Sequence, residues 1–93
     1  MTNVQAVEKC REYRITNADK IQLWFVSSDE RKFIKEVFNL RGKDNEALHD
    51  ARDAVVMYSD SKRKIDESFD WWDLMSAITF VIDDEKAFRG LAI

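Results

Sequence analysis

The chain has no proline and only two glycines, Gly42 and Gly90, in 93 residues. That scarcity is the tightest constraint on what it can fold into. All-β chains turn often and place glycine, proline and asparagine at the turns. Helices exclude proline from their interiors and are weakened by glycine. The expected fold is all-α, a compact bundle of four to five helices, with residues 1–93 as a single helical domain. An α+β alternative treats residues 21–26 as a strand, because Ile21, Leu23 and Phe25 alternate with Gln22, Trp24 and Val26. No hairpin signal supplies a partner strand, which favours helix there.

Capping signals place the other elements. Thr2 followed by Gln5 fits a capping box and starts a helix over residues 3–13, with Ala6, Val7, Cys10 and Tyr13 along one side. Ser27 and Glu30 form a second box, followed by a broad apolar arc of Phe33, Ile34, Val37, Phe38 and Leu40. Arg41 then suits the last turn and Gly42 the left-handed C′ position. Asp44 or Asn45 caps a third helix that buries Ala47, Leu48, Ala51, Val55 and Tyr58, with a break expected at Ser59-Asp60-Ser61. An aromatic helix starts near Ser68. A final turn or short helix is expected from Asp83 to Arg89, stopped by Gly90 with Leu91 available for the hydrophobic contact of a Schellman cap.

The aromatic segment, Phe69 to Ile82, has more apolar faces than one small core can use. At roughly 100° per residue, Trp71, Leu74, Met75, Ile78, Val81 and Ile82 share the core-facing side. Phe69, Trp72 and Phe80 project the other way, among Asp73, Ser76, Thr79 and Asp83. Two readings follow. Either this is a central helix covered on both sides, or Phe69, Trp72 and Phe80 with Asp73, Ser76 and Asp83 form an aromatic contact surface with an acidic rim. Aromatic anchors ringed by polar groups are the usual anatomy of a protein-binding hot spot. The expected function is accordingly a small cytoplasmic, non-catalytic interaction module, an adaptor, regulator or inhibitor. Its partner would be another protein or a second copy in a homo-oligomer.

No motif names a reaction or cofactor. Glu46, His49, Asp50 and Asp53 share a polar helix face, but Glu-x-x-His is half of a di-iron signature and the chain has one histidine. Cysteine catalysis would require His49 beside Cys10, which lies on an apolar stripe. A second function class is a Mg²⁺-dependent all-α nucleotide pyrophosphohydrolase, using Glu46, Asp50, Asp53, Glu67, Asp70 and Asp73 as oxygen ligands. The dense Glu-Glu-x-x-Glu array of such enzymes is missing here. Neither a catalytic residue nor a metal or cofactor site is therefore assigned.

Charge is divided unevenly along the chain. Residues 1–43 carry nine Lys/Arg against six Asp/Glu, and residues 44–93 carry six against twelve. A nucleic-acid binder would use Lys9, Arg11, Arg14, Lys20, Arg31, Lys32, Lys35, Arg41 and Lys43, but Glu8, Glu12 and Glu36 interleave them and no nucleic-acid motif is present. A nucleic-acid mimic would use Asp60, Asp66, Glu67, Asp70, Asp73, Asp83, Asp84 and Glu85, a surface interrupted by Lys62, Arg63 and Lys64. Cys10 has no disulfide partner, no secretory signal is apparent at Met1–Gln5, and the apolar run Leu74–Ile82 falls short of the ~20 residues that span a bilayer. These point to the cytoplasm and away from a membrane.

Overall fold

The structure is a computed structural model that describes residues 1–21 and 26–91. Among these it is all-α, with α1 at Asn3–Thr16, α2 at Ser28–Phe38, α3 at Asn45–Ile65 and α4 at Trp71–Phe88. Single 3-10 turns occupy Ala18–Lys20 and Leu40–Gly42, and there is no strand among the described residues. The choice between helix and strand at 21–26 falls on residues 22–25, outside the described set.

Each helix starts at a side-chain cap. Thr2 Oγ1 accepts from the Gln5 N–H at 3.1 Å, and Gln5 Oε1 accepts from the Thr2 N–H at 2.9 Å, so the first box is complete. Helix α1 then runs one turn beyond its expected end at Tyr13. Asn17 closes it by donating both its backbone N–H and its side-chain Nδ2 to the Tyr13 carbonyl. The second box is only half formed. Ser27 Oγ accepts from the Glu30 N–H, but the Glu30 carboxylate turns inward instead of returning to the cap.

The left-handed position after α2 belongs to Asn39, with φ 50°, and not to Gly42. Asparagine tolerates this region better than other side-chain-bearing residues because its short polar group bonds locally. Gly42 is needed for a different reason: a Cβ there would come within 2.4 Å of the Asn39 side chain. Lys43 Nζ donates to the Phe38 carbonyl at 2.6 Å and so satisfies one acceptor left open at the helix end.

Two expected breaks are absent. Helix α3, capped by Asp44, continues through Ser59-Asp60-Ser61, where Asp60 pairs with Arg63 at 2.8 Å and Lys64 at 3.3 Å across one turn. Such (i, i+3) and (i, i+4) pairs support a helix instead of ending it. Helix α4, capped by Asp70, runs unbroken through Asp83 and absorbs the separate C-terminal element, leaving four α-helices among the described residues. It ends in a Schellman motif: Gly90 at φ 78° bonds to the Ala87 carbonyl, and the Leu91 N–H bonds to Lys86.

The core joins Val7 and Cys10 of α1, Ile34 and Phe38 of α2, Leu48, Ala51 and Val55 of α3, and Trp71, Leu74, Ile78, Val81 and Ile82 of α4. Burying each large apolar side chain contributes about 1.5–3 kcal/mol. Helix α4 packs most extensively on α3 and also meets α2, while α1 bridges α2 and α3. Among the described residues, no helix is long and apolar enough to cross a membrane.

Candidate functional site

Helix α4 is buried around most of its circumference. Trp71, Leu74, Ala77, Ile78, Thr79, Val81, Ile82, Glu85 and Lys86 are all buried, leaving an outward arc that ends at the exposed Phe88. Trp72 and Phe80 stand in that arc, 57% and 52% exposed, with exposed Ser76 midway between them. Their spacing of four residues keeps the three in one stripe, and Trp72 and Phe80 are about 12 Å apart along the axis. Thr79, expected on this side, is buried and donates to the Met75 and Ser76 carbonyls.

The acidic rim is not free. Asp83 accepts from Arg52 of α3 at 2.7 and 3.2 Å. Asp84 pairs with Arg31 of α2. Asp73 accepts from Arg14 of α1 at 2.6 Å. The stripe therefore runs between two rows of ion pairs, one toward α3 and one toward α1 and α2. Cations also cover its aromatic rings. The Arg63 guanidinium lies 5.1 Å from the Trp72 ring centroid, and that of Arg31 lies 5.3 Å from Phe80. Both are cation–π geometries.

Phe69 does not join the stripe. It precedes the first residue of α4, so helical spacing does not set its direction. Its ring is half-buried, edge-on to Trp71 at 5.2 Å, with Arg11 above it at 5.4 Å. It does meet Trp72 at one place, an open groove of about 460 Å³ at the α3–α4 turn that Arg63, Asp66, Glu67 and Asp70 also line. Of the six residues predicted from sequence, Trp72, Ser76 and Phe80 are brought together in the open. Asp73 and Asp83 flank them as braces, and Phe69 supports Trp71.

A buried ionic centre was not anticipated. The Arg14 guanidinium, 7% exposed, donates through Nε and Nη2 to the Glu30 carboxylate at 2.6 and 3.2 Å and through Nη1 to Asp73. Burial alone would lower the Arg14 pKa. The bonds to Glu30 and Asp73 outweigh it and raise the value above the ordinary arginine range. This contact ties α1, α2 and α4 together beneath the stripe. Two sequence signals bear on it: Arg14 continues the buried register of Val7 and Cys10, and Glu30 is the capping-box acid that leaves its cap.

The alternative chemistries find less. Cys10 lies in the core, and burial, then the nearby Glu30 charge, pushes its thiol up to about 12. His49 is exposed on α3, 3.6 Å from Asp53. Glu46, Asp50 and Asp53 are exposed on α3, and among the described residues no three His, Cys, Asp or Glu side chains are grouped to hold a metal ion. In the basic half, Lys9, Arg11, Arg14 and Arg31 are each paired with an acid. In the acidic half, Asp60, Asp73, Asp83, Asp84 and Glu85 are likewise paired with arginines. No protein-family model, curated protein or solved structure matches the chain.

Proposed function

We propose that this protein is a small cytoplasmic interaction module that acts by binding through the outward stripe of α4. The observation that carries the reading is the exposure of Trp72 and Phe80, one on either side of Ser76, on a helix whose other large apolar side chains are buried or half-buried up to the exposed Phe88 at its end. Half-exposed aromatic rings on a rigid helix offer large apolar area at low entropic cost, which suits them as anchors. The contact residues are Trp72, Ser76 and Phe80. Asp73 and Asp83 hold the edges through Arg14 and Arg52, and Phe69 closes the groove beside Trp72.

The test compares wild type with Trp72→Ala and Phe80→Ala. The expected outcome is unchanged helicity and melting together with loss of partner capture from the native cell, or a lower solution mass. Capture and mass both unchanged in the folded variants would overturn the reading, and so would unfolding on either single change.

A further inference from the structure

We infer that the occupant of the α4 stripe is a second copy of the chain, docked α4 against α4 in antiparallel fashion about a two-fold axis at Ser76. The inference rests on the interaction reading above and names its partner.

The stripe is self-complementary about that point. Trp72 and Phe80 each lie four residues from Ser76, so an antiparallel pair centred there brings Trp72 of each copy onto Phe80 of the other. A two-fold contact requires this reciprocity, since every contact must be made twice. At the axis, where two helices approach most closely, stands a small side chain. Its hydroxyl is already used, because Ser76 Oγ donates to the Trp72 carbonyl at 2.9 Å. Burying it therefore strands no donor.

Charge points to the same occupant. A two-fold axis sets a face against its own image, and a face with net charge would repel itself. Here Asp73, Asp83 and Asp84 are each neutralised by an arginine from a neighbouring helix, Arg14, Arg52 and Arg31. The acids that remain lie in the groove beside Trp72, and in an antiparallel pair centred on Ser76 the two grooves fall at opposite ends and do not face each other. The area sets the strength. A buried aromatic contributes 150–250 Å², so each half-exposed ring adds about 100 Å² and the four rings of a pair about 400 Å², well under the roughly 1,200 Å² of a stable interface, which makes the dimer weak. The dimer should form and dissociate reversibly as concentration changes.

Sedimentation equilibrium from low to several hundred micromolar tests this. Wild type should rise from 11.0 kDa toward twice that mass. Trp72→Ala and Ser76→Arg should stay at the monomer mass with unchanged circular dichroism. Ser76→Cys provides a geometric check, because a residue on the axis meets its own copy. Under mild oxidation it should form a covalent dimer faster than Ser61→Cys, which lies roughly 200° around α3 from Arg63. Three results would each overturn the second copy as occupant: a wild type that stays monomeric, a dimer that tolerates Ser76→Arg, or equal crosslinking at both cysteines. A monomeric wild type that captures a different protein through Trp72 removes the self-association and keeps the interaction face. The face itself fails if Trp72→Ala and Phe80→Ala leave both capture and mass unchanged, or if either change unfolds the protein.

Discussion

Asp83 and Asp84 are consecutive on α4 yet pair in opposite directions, Asp83 with Arg52 of α3 and Asp84 with Arg31 of α2. Neighbouring helical residues diverge by about 100°, so two adjacent carboxylates can brace one helix against both its flanks. The two braces differ in burial. Asp83 makes a two-pronged contact with partly shielded Arg52, whereas Asp84 is about half exposed. Asp83→Asn should cost about 1–2 kcal/mol, and Asp84→Asn no more than about 1 kcal/mol. Urea unfolding at low and high salt checks both, and the Asp84 effect should shrink more with salt because exposed charges are screened more effectively.

Arg14 and Glu30 make the more consequential pair, because both are almost wholly buried. Removing the cation leaves the Glu30 carboxylate in the core without a counter-charge. Arg14→Met should therefore destabilise by about 3–5 kcal/mol. The double variant Arg14→Met, Glu30→Leu removes both buried charges and should recover most of that loss, since apolar replacement of a buried ion pair is often neutral or favourable. Chemical denaturation of the two single variants and the double variant forms a cycle that measures the coupling. A double variant no better than Arg14→Met would show that packing at this site matters more than charge.

Much of the fold was legible because it depends on local chemistry. Thr2, Ser27 and Asp44 announce helix starts within three residues of the groups they cap, and Gly90 does the same for the end of α4. Leu48, Ala51 and Val55 show the period of the α3 core directly. What stayed hidden depends on distant partners. Glu30 is 16 residues from Arg14 and Asp73 is 59, so nothing local signals that the capping acid turns inward or that the acidic rim is already neutralised. The unbroken course of α3 through Ser59 was hidden for the same reason: Ser59 is buried by packing, which overrides the low helix propensity of the serine-aspartate run.

The tandem tryptophans illustrate the legible part, since a helix must point adjacent side chains in different directions. Trp71 is 1% exposed, with Tyr58 and Phe69 edge-on to it and its Nε1 donating to Asp66 at 3.3 Å. Trp71→Ala should cost about 3–5 kcal/mol through lost burial and the cavity left behind. Trp72→Ala opens no cavity and loses the contact with Arg63, so its cost should stay within about 1 kcal/mol. Thermal melts of the two variants, identical in composition change and adjacent in sequence, separate the residue that holds the fold from the one available for contact. Comparable losses of stability would place Trp72 in the core as well.

Tyr58 gives the structure an alkaline signature. Its hydroxyl donates to the Glu8 carboxylate of α1, and burial first, then that hydrogen bond and the Glu8 charge, push its pKa from 10.0 up to about 12. The folded state thus keeps a proton that the unfolded chain releases near pH 10. Where the native state binds more protons, stability falls as pH rises. The contribution is fully present below pH 10 and is lost on approaching pH 12. Tyr13 is also shifted upward, with burial as its largest cause, so the chain's two tyrosines should both titrate late while it is folded. Denaturant unfolding across this range should show stability declining in wild type and a shallower slope in Tyr58→Phe, where Tyr13 and the buried Cys10 thiol remain to contribute. Ultraviolet titration of phenolate should move in parallel, the late-ionising signal being halved in the variant. A Tyr58→Phe curve as steep as wild type would assign the alkaline slope to groups other than this α1–α3 contact.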